Sequence, residues 1–259
     1  MRHAALGSGK RLRAFLALAG AELLGGPKAG ALRVGAALEC LHAYSLAHDD
    51  LPAMDDALLR RGRSACHVAF DEATAILAGD ALQALAFEIL TDPATHADGN
   101  ARAELALGLA RAVGAAGMCA GQTIDLEGET RALDVEAALR MERLKTGALI
   151  AFAAESGAIL AGAGAAARSA LARYGQALGL AFQLRDDELD LTGDPGLAGK
   201  DLRRDAEAGK ATPYARLGAD GVRGLIRDLR TEAVACLAPW GDDARVFVEL
   251  FDFAIQRET

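Results

Sequence analysis

A chain of 259 residues that is 52% hydrophobic, 25% charged and only 5% aromatic is long enough to bury about three-quarters of its unfolded surface, so it needs no disulfide framework or structural metal to fold. With 28 basic against 36 acidic residues, a formal charge of −8, it is not a general nucleic-acid binder, whose affinity comes from basic surface that neutralises phosphates. Its four cysteines, Cys40, Cys66, Cys119 and Cys236, are scattered without a C-x-x-C pair, which fits small core residues of a reduced, cytoplasmic protein.

From the N-terminus, Ala14 to Ala21 is apolar behind Lys10, Arg11 and Arg13 in the manner of a secretion signal, but Glu22 closes it and no cleavage site follows. Helices are expected over 31–48, 65–90, 102–126, 134–160 and 167–191: each run is long, rich in Ala and Leu, poor in β-branched residues and nearly free of breakers. Asp92-Pro93 with Ala97-Asp98-Gly99-Asn100 marks one connection, Glu127-Gly128-Glu129 marks another, and Lys145-Thr146 interrupts the fourth run. The stretch 147–167 is apolar, yet it is mostly Ala and Gly and carries Glu155, so a buried helix is expected there and no membrane span. Nothing alternates with a strand's period and nothing repeats, so the fold class is all-α. Thr192 to Pro213 is a glycine-rich connection carrying Lys200 and Lys210. It exceeds the ~12–15 residues of an ordinary loop and is expected to cover a substrate.

Two carboxylate clusters end apolar helices. The first is His48-Asp49-Asp50-Leu51-Pro52-Ala53-Met54-Asp55-Asp56, and upstream of it Glu39, His42, Ser45 and Asp49 share one helical face amid Val34, Leu38, Leu41 and Leu46. Asp49 and Asp55 would point to different sides of an ideal helix, so Pro52 is expected to kink or bulge it and bring Asp55 round towards Asp49. The second is Asp186-Asp187-Glu188-Leu189-Asp190, where Asp186 and Asp190 are i, i+4 neighbours and Gly179, Gln183 and Asp187 form a stripe. Carboxylates at a helix C-terminus are disfavoured by its dipole and need a compensating charge. A lone cluster would be a solvated acidic turn. Two of them, without His or Cys, suit a hard cation, and Mg²⁺ in particular is held by carboxylates together with substrate phosphates.

Cations lie in short clusters between these acids. Gly7-Ser8-Gly9-Lys10-Arg11-Leu12-Arg13 imitates a P-loop but has Ala4 and Arg11 where that motif needs Gly and Ser or Thr. Arg60-Arg61-Gly62-Arg63 follows the first acidic cluster, and Lys145, Lys200 and Lys210 come later.

The order GKRLR, HDDLPAMDD with RRG, LAGDAL, GQTIDL, LKTGALI, FQLRDDELD and GK…GK resembles the trans-isoprenyl diphosphate synthases, the bacterial farnesyl diphosphate synthases above all, over nearly the whole chain. The resemblance implies one isoprenoid synthase domain over 1–259. It would be an antiparallel helical bundle, as a homodimer, with both aspartate motifs facing a central cavity. It implies Mg²⁺, three ions with substrate bound, at the aspartates of the two motifs: Asp49, Asp50, Asp55, Asp186, Asp187 and Asp190. It implies that Arg60, Lys145, Lys200 and Lys210 hold the diphosphate of an allylic substrate. Lys10, Arg13, His42 and Arg61 would hold isopentenyl diphosphate, and Thr146 and Gln183 would sit near the developing carbocation. The catalytic set is then Asp49, Asp55, Asp186, Lys145, Thr146, Gln183 and Lys200, for 1'-4 condensation to farnesyl diphosphate. Tyr44 and Ser45, one turn deeper than Asp49, would floor the cavity, and with Pro52 they favour a C15 product over geranylgeranyl or longer chains.

The chain departs from the family pattern in four places. It reaches Gly9-Lys10 almost at once, where one or two helices usually come first. Ala14 replaces a usual Pro, Leu58 a usual acid and Arg203 a usual Gly. A terpene cyclase has no second diphosphate to hold, so Lys10, Arg13, His42 and Arg61 argue against it. The less favoured alternative is a non-catalytic subunit of a heteromeric prenyl synthase, a kind that tends to lose aspartate motifs, whereas both are complete here.

Overall fold

The computed structural model describes residues 1–192 and 213–256. After a short α1 (Arg2–Ala5), the helices are α2 (Leu12–Leu23), α3 (Lys28–Asp49), α4 (Cys66–Ala69), α5 (Glu72–Thr91), α6 (Gly99–Val113), α7 (Met118–Thr130) and α8 (Val135–Glu142). A π-helical turn (Arg143–Gly147) joins α8 to α9 (Ala148–Leu160), followed by α10 (Ala165–Thr192), α11 (Pro213–Leu237) and α12 (Arg245–Gln256). Strands are confined, among the described residues, to one hairpin, β1 (Leu59–Arg60) against β2 (Arg63–Ser64), with Leu59 opposite Ser64 and Arg60 opposite Arg63. The all-α expectation holds. The hairpin is what periodicity missed, because two-residue strands are too short to alternate.

Two of the long runs expected from the sequence are split. Asp71 ends the 65–90 run as one helix: its carboxylate accepts the Thr74 amide at 2.7 Å and starts α5 afresh. The 102–126 run breaks at Gly114–Gly117, where a Cβ at Gly117 would lie 2.1 Å from the Ala112 carbonyl oxygen, so only glycine fits the turn. The 134–160 run does continue from α8 into α9, with Glu142, Arg143 and Ala148 all keeping helical backbone angles. Its interruption at Lys145-Thr146 is the π-turn. Such turns insert a residue without ending the helix and re-aim the side chains around it.

The core runs through α2, α3, α9, α10 and α11, with Leu16, Leu38, Leu41, Ile150, Tyr174, Leu178 and Phe247 fully buried. Its helices approach closely because the contacts are small: a Cβ on Gly179 of α10 would stand 2.7 Å from the Cα of Gly147. Tyr174 donates its hydroxyl to the Phe247 carbonyl at 2.7 Å and stacks edge-on against that ring at 5.2 Å, so α10 is fixed to α12. Arg230 adds a two-pronged bond to Asp252 at 2.6 and 2.8 Å, joining α11 to α12. With both neighbours anchored, the C-terminal part of α10 holds its aspartates in a fixed place.

Candidate active site

Asp49 is the last residue of α3, and the chain leaves the helix there instead of running on through Pro52. The sequence expectation of a kinked helix is corrected: residues 50–56 form a tight turn in which the Asp55 amide donates to the Asp49 carbonyl at 2.8 Å and the Ala57 amide to the Asp50 carbonyl at 3.1 Å. Pro52 has no amide to continue the helical ladder, and Asp56 closes the turn with a left-handed φ of 47°. Asp55 does come back beside Asp49, by chain reversal. Burial and the neighbouring Asp55 and Asp50 charges outweigh the help of Lys145 and Arg60, and the Asp49 carboxyl is pushed up to about 6.

Lys145 stands opposite Asp49 on the π-turn. Its Nζ donates to Asp125 Oδ2 on α7 at 2.5 Å. Burial works against its charge, but Asp125, Asp49 and Asp55 together win and raise its pKa, so it is a fixed cation. Next to it, Thr146 Oγ1 donates to Gln183 Oε1 at 3.1 Å, and Gln183 Nε2 donates to Asp187 Oδ1 at 3.1 Å. Asp49, Lys145, Thr146, Gln183 and Asp187 thus form one continuous run of neighbours linking the two aspartate motifs. Of the second motif, Asp187 and Asp190 are buried, with Asp186 half-buried beside them. Glu188 faces another way, accepting Arg185 at 2.6 Å and Arg223 of α11 at 3.4 Å.

Asp50 behaves differently from its neighbour. Its carboxylate is buried and takes Arg60 Nε at 2.9 Å and Nη2 at 2.5 Å. That makes Asp50 the holder of Arg60, whose charge also faces Asp49 and Asp55. Arg60 opens the hairpin turn whose two central residues, Arg61 and Gly62, have φ of 54° and 74°. That is the type I' geometry, and an X-Gly pair between short strands was its signal in the sequence.

Arg61 and Arg13 gather around His42 of the same α3 stripe. Arg61 donates to the Ser8 carbonyl at 2.6 Å and approaches His42 Nε2 at 3.4 Å. Its guanidinium lies so close to Gly9 that a Cβ there would stand 2.4 Å from Nη1. Burial, then Arg13, Arg61, Arg60 and Arg11, hold His42 well below the usual imidazole range, so it is neutral. Burial also lowers Arg13 to about 10, with Glu39 offsetting part of it, and its Nε is buried with no hydrogen-bond partner among the described residues. Lys10 is exposed nearby in sequence. Ser45 turns its hydroxyl to the His42 carbonyl of its own helix at 2.9 Å, and Tyr44 packs edge-on to His48 at 4.8 Å. Lys200 and Lys210 lie outside the described residues.

Two residues of this region escaped the sequence argument, and a third was read without its partner. Asp125 is the acid of GQTIDL, and of the three carboxylates on α7, with Glu127 and Glu129, it is the buried one. Gln122 of the same motif has a buried Nε2 with no partner among the described residues. Glu39 was visible as part of the α3 stripe, but nothing in the sequence named its partner Arg11.

The donor set suits a hard cation, for it is all carboxylate and already carries more negative charge than Asp49 tolerates. Among the described residues no three His, Cys, Asp or Glu side chains converge closely enough to hold an ion alone. An ion here would share its remaining positions with a bound molecule or water, as Mg²⁺ does.

A model of the polyprenyl synthetase family matches residues 1–218. The chain belongs to the polyprenyl synthetase family. It is 46% identical over 262 residues to the farnesyl diphosphate synthase of Escherichia coli strain K12, across 99% of this chain and 88% of that relative. Among solved structures, an FPP/GFPP synthase from Zymomonas mobilis superposes with a TM-score of 0.89 at 43% identity, across 98% of this chain and 86% of the other. A geranyltransferase from Helicobacter pylori, complexed with magnesium and isoprenyl diphosphate, superposes with a TM-score of 0.86 at 31% identity, across 98% and 85%. The isoprenoid synthase fold implied by the motifs is the fold of these polyprenyl synthetases.

Proposed function

We propose that this chain is a Mg²⁺-dependent prenyltransferase that joins isopentenyl diphosphate to an allylic diphosphate, dimethylallyl or geranyl, head to tail, with farnesyl diphosphate as product. The observation that carries the reading is the run Asp49–Lys145–Thr146–Gln183–Asp187, which puts a fixed cation and an oriented amide between two carboxylate sets. Mg²⁺ held by Asp49, Asp55, Asp186 and Asp190, three ions with substrate bound, would neutralise the allylic diphosphate and make it a leaving group. Lys145 and Arg60 add fixed positive charge where that negative charge develops, and Lys200 and Lys210 join them. The Gln183 carbonyl oxygen and the Thr146 hydroxyl, locked by their mutual bond, present lone pairs to the allylic cation. Asp187 fixes the Gln183 amide and Asp50 fixes Arg60.

The second diphosphate, that of isopentenyl diphosphate, falls to Lys10, Arg13, His42 and Arg61. Arg13 brings an unused donor, and neutral His42 leaves room for an anion without adding a charge that burial would oppose. The isopentenyl double bond attacks the cation, and loss of one proton to the departing diphosphate completes the product. No nucleophilic Ser, Cys or His is required. Tyr44, with Ser45 beside it, serves as the floor that stops growth at C15.

The chain acts as one domain over 1–259, as a cytoplasmic homodimer. The dimer is supported by α5, whose most apolar stretch has a mean hydropathy of 1.5 with only 33% of it buried. Ile76 and Leu77 on that helix are exposed, a face that a second copy would cover.

The test is to incubate the purified chain with dimethylallyl or geranyl diphosphate, labelled isopentenyl diphosphate and Mg²⁺, with an EDTA control, and to size the products. A metal-dependent C15 product is expected. A C20 or longer product would keep the mechanism and remove Tyr44 as the floor. A folded chain that makes no prenyl product would sink the proposal.

A further inference from the structure

We infer that Arg11 is a positioning residue for isopentenyl diphosphate. It shapes the loop that carries Lys10 and leads into Arg13, without touching the substrate itself. The inference rests on the prenyltransferase reading above.

Arg11 is the N-cap of α2 and sits in the left-handed region, at φ 51° and ψ 34°. Side chains rarely adopt that conformation, because Cβ crowds the following carbonyl, and glycine or asparagine is the cheaper choice. Among the described residues the other non-glycines with positive φ are Asp56 and Arg61, both at the site. Strained backbone of this kind persists where surrounding contacts fix it, and for Arg11 those contacts are visible.

Its Nη2 donates to the Gly7 carbonyl at 2.5 Å and to the Ala5 carbonyl at 3.3 Å, while Nη1 donates to Glu39 Oε2 at 2.9 Å. The other Glu39 oxygen takes the Ala14 amide at 3.4 Å, an otherwise orphaned donor in the first turn of α2. One planar guanidinium therefore folds the segment 5–11 around itself and ties it to α3, one turn before His42. Lysine cannot do this, because its single ammonium has no fork to span three acceptors. Arg11 turns its donors to Gly7, Ala5 and Glu39. Its charge is spent on holding the loop, whereas Arg13 keeps a donor without a partner.

The loop so fixed is the one whose Ser8 carbonyl accepts the Arg61 guanidinium and whose Gly9 leaves room for it. Arg11 thus sets, at one remove, the spacing of Lys10 and Arg61 on two different segments. Among the described residues it has no comparable link to Asp49, Lys145 or Gln183, so its influence should fall on one substrate only.

The decisive variant is Arg11→Gly, which relaxes the left-handed backbone while deleting the guanidinium, so thermal unfolding should show a folded protein. In steady-state assays KM for isopentenyl diphosphate should rise about tenfold or more, with kcat and the KM for geranyl diphosphate within about twofold of wild type. Free guanidinium added to Arg11→Gly should restore part of the lost affinity, and Arg11→Lys should fall between the two. Glu39→Gln should raise the same KM less, and adding it to Arg11→Gly should do little more, because the two side chains act as one unit. Unchanged kinetics, equal shifts in both KM values, or a fall in kcat alone would overturn the inference while leaving the prenyltransferase reading intact. A wild-type chain that makes no product would overturn that reading and this inference with it.

Discussion

Lys145 Nζ and Asp125 Oδ2 meet at 2.5 Å between the π-turn and α7, with the two side chains 24% and 8% exposed. The approach is possible because α7 has Gly121 against the π-turn, where a Cβ would stand 2.2 Å from the Lys145 amide nitrogen. The pair keeps Lys145 charged in a place where burial works against its charge.

Asp125→Asn removes the charge that keeps Lys145 in place. Breaking one side of a buried pair should destabilise the fold by about 3 kcal/mol, read by denaturant unfolding. kcat/KM for the allylic substrate should fall about tenfold or more, since Lys145 would no longer be aimed. A variant with wild-type kinetics would separate Asp125 from catalysis.

Asp49 is the opposite case, a charge the fold resists. Its carboxyl titrates at about 6 when folded against 3.8 as an ordinary aspartate. Between those values the folded chain keeps a proton that the unfolded chain has lost. Stability from this group therefore falls as pH rises through the window, and the cost is complete above about 6. Asp49→Asn should make the metal-free protein more stable than wild type by about 1–3 kcal/mol at pH 8, with the gap closing towards pH 4. The same variant should lose about 10³-fold in kcat. Melting curves at the two pH values in EDTA check the first half, and steady-state turnover with Mg²⁺ checks the second.

His42, with Arg13 and Arg61 around it, makes the fold sensitive to acid. Its folded pKa lies well below the ordinary 6.5. As pH drops past 6.5 the unfolded chain gains a proton that the folded chain refuses, so this contribution is fully present above 6.5 and lost on acidification. His42→Gln should flatten stability against pH below 6.5 by up to about 1.4 kcal/mol per pH unit. Urea titrations at several acid pH values would reveal it, and parallel curves for the two proteins would count against a buried neutral His42.

Tyr44 packs on the main core and against His48. Tyr44→Ala should cost about 2 kcal/mol, being only partly buried, and should shift the major product from C15 to C20 or longer. Product sizing decides it: a C15 profile in the variant would make Tyr44 ordinary packing.

Much of this was legible without coordinates. The long apolar periods made helices inevitable, because an Ala- and Leu-rich chain with few breakers has no competing way to satisfy its backbone. The two aspartate runs, the KTG interruption and the separated cation clusters named most of the site, since each puts charge where an apolar helix would not tolerate it alone. Glu39, His42 and Asp49 were readable as one stripe because a helix repeats its face every three or four residues.

What the sequence could not decide were the relations that join segments remote in the chain. Whether Asp55 returned to Asp49 by a kinked helix or by a turn depended on hydrogen bonds formed only in the folded loop. That Asp50 would answer Arg60, and Asp125 Lys145, followed from how the turn after α3 and the π-turn were set in the folded chain. The Lys145–Asp125 and Arg11–Glu39 pairs bridge separate helices, and no local pattern encodes them. Composition and period set the elements, because those are local energies. The partners of each buried charge were set by tertiary packing, because a charge removed from water must find its counterpart wherever the fold brings one.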